Sequence, residues 1–287
     1  MSEIAPLIIQ FLNGLSLSMI LVLIALGLAI IFGLMGVINL AHSELFMLGA
    51  YTVVAVNQYI MPNFWLGLLI APLIVGLIGL LMEKSIIQHL YKRPLETLLI
   101  TWGISIVLRQ LVKMILGAGH RSVIPPMSGV VSLLPGVTYP VYRLFIIGIT
   151  VFILVAVFYA FMKTKLGLQC RAVIANRQMA SALGINTYMC DSTVFSIGAG
   201  LAGLAGAVMS PIITVNPEMG MVFIAKSFFV VILGGLGNIL GVVGGSLLIG
   251  FFESTISYMH SSIVAHISVL FLAIIVIRFR PKGLFGG

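Results

Sequence analysis

Apolar residues run through this chain in unbroken blocks of about twenty, the length a helix needs to cross ~30 Å of hydrocarbon, and polar residues collect between the blocks. Nine stretches qualify: 12–34, 40–60, 64–82, 95–116, 141–162, 192–213, 222–240, 241–258 and 263–277. A membrane β-barrel would alternate apolar and polar positions in segments of about ten, so continuous runs predict helices. The expectation is an all-α, polytopic integral membrane helix bundle of eight or nine spans, forming one transmembrane domain over 1–287. The Gly-rich segment LGGLGNILGVVGG, with Gly234, Gly235 and Gly237, either separates two full spans or breaks a re-entrant helix near 234–245.

Two stretches put polar residues where lipid penalises them. FGLMGVINLAHSELFMLGAY (32–51) carries Asn39, His42 and Glu44 between apolar blocks. A carboxylate at the bilayer centre costs about 2.5–3.5 kcal/mol on the insertion scale, so these groups must face protein, water or the interface. RPLETLLITWGISIVLRQLVK (93–113) places Thr97, Thr101, Ser105 and Arg109 at four-residue spacing, one polar stripe on a helix, with Glu96 in the first turn. Such a stripe serves either helix–helix hydrogen bonding or a solute path, and Asn39, His42, Glu44, Glu96, Thr97, Thr101 and Ser105 are the candidates for lining a path or supporting a gate. Gly198, Ala202 and Gly206 bring small residues to one face of another block, which allows close helix packing.

The segment KTKLGLQCRAVIANRQMASALGINTY (163–188) is too polar to span and too apolar for a free linker. It reads as a short amphipathic helix, with Leu168, Ala172, Val173, Met179, Ala180 and Leu183 on one side and Gly184 as its C-terminal cap. A surface helix of that kind rests on lipid or docks into a groove of a soluble partner.

Composition confirms the solvent. Hydrophobic residues make up 61% of the 287 and charged ones 8%, against about 25% charged in soluble domains. The net charge of +8 comes from clusters beside the spans: Lys84, Lys92 and Arg93; Lys163, Lys165, Arg171 and Arg177; Arg278, Arg280 and Lys282. Placing all three clusters inside puts the N-terminus outside and the C-terminus in the cytoplasm; Arg109, Lys113, Arg121 and Arg143 then fall toward the outer side. The charge has this simpler cause, so no nucleic-acid partner is expected. The opening MSEIAP lacks a basic n-region, and the first span reads as a retained signal-anchor. Cys170 and Cys190 sit in or beside the basic loop and read as reduced thiols.

Catalytic and cofactor motifs are missing. In the stretch from Gly220 to Lys226–Ser227, Ala225 stands where a phosphate loop requires its second glycine. The five histidines are scattered without ligand spacing, so no metal site is expected.

Taken in order, FGLMGVINLAH with GAY, LYKRPLETLLITWGIS, KTKLGLQCRAVIANRQMASALGI, GAGLAGLAGAV, VVILGGLGNILGVVGG and RFRPKGLF resemble the permease subunits of ABC importers for branched-chain amino acids and for urea. The RPLETLLITWGIS and ANRQMASALGI segments look closer to the urea permeases, with branched-chain amino acids as the alternative cargo. Ser43 departs from the glycine common at that position in the family. The resemblance implies a bacterial or archaeal inner-membrane assembly of this chain, a second homologous permease, two cytoplasmic ATPases that bind ATP and magnesium, and an external solute-binding protein. It also implies that Arg171, Asn176, Arg177, Ala180 and Gly184 contact an ATPase, while this chain is no enzyme. An ATP-independent channel or secondary transporter is the reading from another class.

Overall fold

The computed structural model describes residues 4–91, 93–134, 136–235, 237–280 and 283–284; Lys92 and Lys282 of the basic clusters lie outside it. The elements follow the apolar blocks: α1 (Ile4–Met35), α2 (His42–Ala55) prolonged by a π-helical turn (Val56–Ile60), α3 (Phe64–Ser85), α4 (Pro94–Leu116), a hairpin of β1 (Val130–Leu134) and β2 (Val137–Pro140), α5 (Val141–Lys163), α6 (Lys165–Ala175), α7 (Arg177–Ala182), α8 (Thr187–Met209), α9 (Met219–Gly234), α10 (Ile239–Met259) and α11 (Ser262–Phe279). Polar residues ahead of the blocks start the helices by capping free backbone N–H groups. Asn63, Asn186, Asn238 and Ser261 do so for α3, α8, α10 and α11, while Pro94 opens α4, where a missing N–H costs nothing.

Among the described residues, seven helices are long and apolar enough to cross a membrane: α1, α3, α4, α5, α8, α10 and α11. The other two expected spans, 40–60 and 222–240, are also helical, in shorter α-helices. α9 has 16 residues, and α2 has 14 before its π turn. α2 lies inside the bundle, where a helix meets protein rather than hydrocarbon, whereas α9 buries one face and exposes Met221 and Val222 on the other. The Gly-rich segment is a tight turn between α9 and α10, not a break within one helix. Gly235 and Gly237 hold positive φ values of 93° and 79°, and a Cβ on Gly241 would lie 1.9 Å from the Gly234 carbonyl oxygen. The hairpin, which pairs Val131 with Tyr139 in antiparallel register, was not expected in an all-helical chain.

The order long helix, non-helical crossing, short helix, long helix, long helix occurs twice, as α1–α4 and as α8–α11. Packing follows the same symmetry: α3 lies along α8 as α1 lies along α10, and α1 and α8 meet at the centre. The end of α1 lines a cavity with the end of α5, α6 and the start of α10, and α8 starts at this end, packed on α6 and α7. The two halves therefore run in opposite senses, an inverted repeat of the kind found in transporters. The basic segments share this end. Arg93 and Arg177 line one cavity there, and Leu284 donates to the Leu233 carbonyl, bringing the tail to the α9–α10 turn.

The small-residue seam sits in the interior. Ala202 is buried, Gly198 faces Gly27 and Ile31 of α1, and a Cβ on Gly206 would lie 1.8 Å from the Phe46 carbonyl oxygen of α2. Gly220, at the start of α9, similarly meets the Ser43 carbonyl, so the close approach at Ser43 is provided by the glycine opposite.

Candidate functional site

The non-helical crossing at 36–41 brings α2 into the bundle with its first turn facing α4. Asn39 Oδ1 accepts from the Ala41 N–H at 3.0 Å, closing a local turn. The Leu40 N–H donates to Thr101 Oγ1 at 3.2 Å. His42 Nε2 donates to the Ile24 carbonyl of α1 at 3.0 Å, which leaves Nδ1 as the unprotonated nitrogen. Glu44 Oε1 accepts from Ser105 Oγ at 3.2 Å and from Arg109 Nη2 at 2.7 Å. Thr97 Oγ1 donates to the carbonyls of Leu90 and Arg93, both at 2.9 Å. Thus the α4 stripe and the first turn of α2, distant in sequence, form one buried polar seam.

Asn39, His42, Glu44, Thr97, Thr101 and Ser105 are all buried. Glu96 stands apart: it is exposed and pairs with Arg93 at 3.1 Å. Four buried atoms in and beside the seam have no hydrogen-bond partner among the described residues: Asn39 Nδ2, His42 Nδ1, Glu44 Oε2 and Arg109 Nε. Native interiors leave few such groups, and each costs about 1–3 kcal/mol. The seam continues one turn along α4, where Lys113 Nζ reaches Glu218 Oε1 at 2.6 Å in the crossing before α9. Lys113 holds the Glu218 carboxyl below its ordinary value.

Sequence alone did not single out Glu218, Glu83, Asp191, Glu253 or the pairing of Lys226. The available signal was simple: each is a charge in or at the edge of an apolar block. Lys226, in the false phosphate loop, lies mid-helix in α9 and pairs with Glu253 Oε1 of α10 at 2.5 Å, with His266 Nδ1 of α11 at 3.2 Å.

The basic segment folds as two helices rather than one, broken at Asn176, whose side chain caps α7 through the Met179 N–H at 3.0 Å. Gly184 takes φ +83° and the Ile185 N–H returns to the Ala180 carbonyl, the expected glycine cap. Of the residues expected to face a partner, Asn176 and Gly184 are exposed, Arg171 and Arg177 are half-buried and bonded within the chain, and Ala180 is buried. Arg171 donates to the Phe161 carbonyl at 2.8 Å and closes the end of α5; Ala180 is buried. Arg177 pairs with the fully buried Asp191 at the start of α8, and its guanidinium lies 5.8 Å and 6.0 Å from the rings of Tyr91 and Tyr188. The hydrogen bond and charge of Asp191 raise the already high Arg177 pKa against the opposing effect of burial, keeping it charged. Tyr91 in turn donates to Glu83, which also accepts from Ser192. A two-helix hairpin must satisfy its own ends and its buried acid first, which draws these polar groups inside. Beside Asn176 and Gly184, the exposed residues include Leu168 (61%), Met179 (59%) and Leu183 (75%). Both cysteines are free, and burial pushes the Cys170 thiol up to about 12, so it stays protonated.

Comparison with known proteins matches this sequence to one family. The chain is 29% identical over 303 residues to the high-affinity branched-chain amino acid transport system permease protein LivH of Escherichia coli, covering 96% of this chain and 94% of that one. It is 28% identical over 300 residues to BraD of Pseudomonas aeruginosa, a permease protein of the same description, covering 100% of this chain and 98% of the relative. To the permease protein LivM of Escherichia coli it is 25% identical over 261 residues, covering 82% of this chain and 60% of LivM. No solved structure matches significantly. Nothing in these relatives points to urea, and the preference for urea drawn from RPLETLLITWGIS and ANRQMASALGI gives way to its alternative. Such relatives are membrane subunits and not enzymes. Residues 10–278 match the model of the branched-chain amino acid transport system permease component, and the chain belongs to that family of multi-pass membrane permeases.

Proposed function

We propose that this chain is one of two permease halves of an ATP-driven importer for branched-chain amino acids, working by alternating access in a prokaryotic inner membrane. The N-terminus faces outward and the basic end faces the cytoplasm, as the clustering of Lys and Arg at one end supports. There α6 and α7 present Leu168, Met179 and Leu183 to a partner ATPase, which binds ATP and magnesium and supplies the free energy. A second permease, related to this one as LivM is, completes the pore, and an external binding protein delivers cargo and provides affinity.

The observation that carries the reading is the seam between α2 and α4. Four buried polar atoms there lack partners in this arrangement, as a gate between two hydrogen-bonded states requires. Asn39, His42, Glu44, Thr97, Thr101 and Ser105 support that gate. Small-residue contacts at Gly198 and Gly206 let α8 slide on α1 and α2 without extensive repacking.

The test is uptake in a strain stripped of its own branched-chain amino acid importers and supplied with this chain and its neighbouring subunits. Labelled L-leucine should enter and labelled urea should not. Urea uptake without leucine uptake would return the reading to urea. Flux into proteoliposomes that hold this chain alone would favour a channel instead.

A further inference from the structure

At the end opposite the basic face, the first turns of α1, the start of α5 and the end of α10 border an open cavity of about 300 Å³ lined by Gln10, Asn13, Arg143, Glu253, Ser254 and Ser257, with Leu17 and Tyr258. That volume lies at the lower limit of small-molecule sites, which span ~300–1,000 Å³. Building on the reading above, we propose that this cavity is a receiving subsite for a zwitterionic α-amino acid, with Arg143 binding the carboxylate and Glu253 the ammonium group.

Two charges of opposite sign border the cavity with unused bonding capacity. Arg143 Nη1 donates to Asn13 Oδ1 at 2.7 Å, and among the described residues Arg143 has no carboxylate partner. A guanidinium carries five donors, so it retains the paired donors that grip a carboxylate. Glu253 is 5% exposed. Its Oε1 takes Lys226 at 2.5 Å and His266 at 3.2 Å, while Oε2 is buried with no hydrogen-bond partner. An ionised carboxylate accepts only, so what completes it is a donor, and a ligand ammonium supplies three. Lys226 and His266 reach Glu253 from α9 and α11, fixing one oxygen and leaving the other.

The remaining lining is organised ahead of any ligand. Gln10 Nε2 donates to the Ser254 carbonyl at 2.7 Å and to its hydroxyl at 2.9 Å, tying α1 to α10 across the cavity. Leu17 and Tyr258 give an aliphatic side chain apolar surface. Urea, with neither charge, would leave both Arg143 and Glu253 as they are. Lacking one complementary charge, an amine or a fatty acid would satisfy only one side. The site therefore selects by the two charges together, and the alkyl group adds little discrimination.

Calorimetry on the purified full-length chain in nanodiscs tests this with four probes: L-leucine, 3-methylbutylamine, 4-methylpentanoate and urea. L-leucine should bind saturably, and the two single-charge analogues about 10–100-fold more weakly, the cost of one charge-assisted contact. Arg143→Gln should weaken L-leucine by the same factor and abolish the preference over the amine. Arg143→Lys should restore part of it. Ser257→Phe, which fills the cavity from an exposed position and touches no charge, should remove binding while the protein still folds. No saturable L-leucine binding by the wild-type chain, or unchanged binding in Arg143→Gln and Ser257→Phe, overturns the subsite. If either result occurs while cells still take up leucine through this chain, the subsite fails and the importer reading stands. If uptake is independent of the chain, the importer reading itself fails.

Discussion

Arg177 shows how far a side chain's role depends on what lies inside the fold. Next to a surface loop in sequence, it looks like a contact for a partner. In the structure it neutralises Asp191, a carboxylate with no exposed surface, while Tyr91 and Tyr188 flank the guanidinium. Removing one partner of a buried pair costs about 3–5 kcal/mol because the other charge remains; Arg177 is 41% exposed, and screening by water lowers the figure here. Arg177→Gln should therefore loosen α7 from α8 and reduce leucine uptake several-fold while the ATPases still copurify. Met179→Asp with Leu183→Asp should do the reverse, losing the ATPases from a chain that is normally folded and inserted. Copurification assays on both variants beside uptake separate the two roles. Loss of the ATPases in Arg177→Gln would restore the direct contact.

At the scale of elements, close helix approach is fixed by backbone rather than side chains. A Cβ on Gly206 would fall 1.8 Å from the Phe46 carbonyl oxygen and one on Gly49 1.8 Å from that of Gly203, so α2 and α8 touch backbone to backbone. Gly206→Ala must push the helices apart, and overpacking of this kind costs about 1–3 kcal/mol. Its unfolding temperature in detergent should drop by several degrees. Gly103→Ala, on α4 with nothing within 4 Å of the added methyl, should be neutral or raise stability by about 0.5–1 kcal/mol through helix propensity. Equal behaviour of the two would mean that the seam is not tightly packed. The seam was legible in the sequence, because small residues at four-residue spacing have few other uses in a membrane. The polar stripe of α4 was legible for a similar reason: Thr97, Thr101 and Ser105 interrupt an apolar run at helical period. Their partner on α2 was not, since periodicity reports a face and never what covers it. Likewise α2 and α9 read as full spans, because hydropathy measures apolarity and cannot distinguish lipid from protein as the neighbour.

Across the whole molecule, the inverted repeat gives the chain two equivalent halves joined through α5, α6 and α7. Each half carries a short interior helix with a buried ionic contact: Glu44 of α2 to Arg109 of α4, and Lys226 of α9 to Glu253 of α10. Neither pairing was legible in sequence, although Glu44 itself stood out beside Asn39 and His42, whereas Lys226 and Glu253, 27 residues apart, did not. On the proposed function, motion imposed on α6 and α7 would pass through Arg177 and Asp191 into α8, which packs on α1, α2 and α3. The permease has no motor of its own in this account and must borrow one at its basic end. Leucine uptake into proteoliposomes containing the complete assembly, with the binding protein outside and ATP trapped inside, tests that claim most directly. Uptake should require ATP and the binding protein and should fall several-fold without the Arg177–Asp191 pair; leucine accumulation that proceeds without ATP would contradict it.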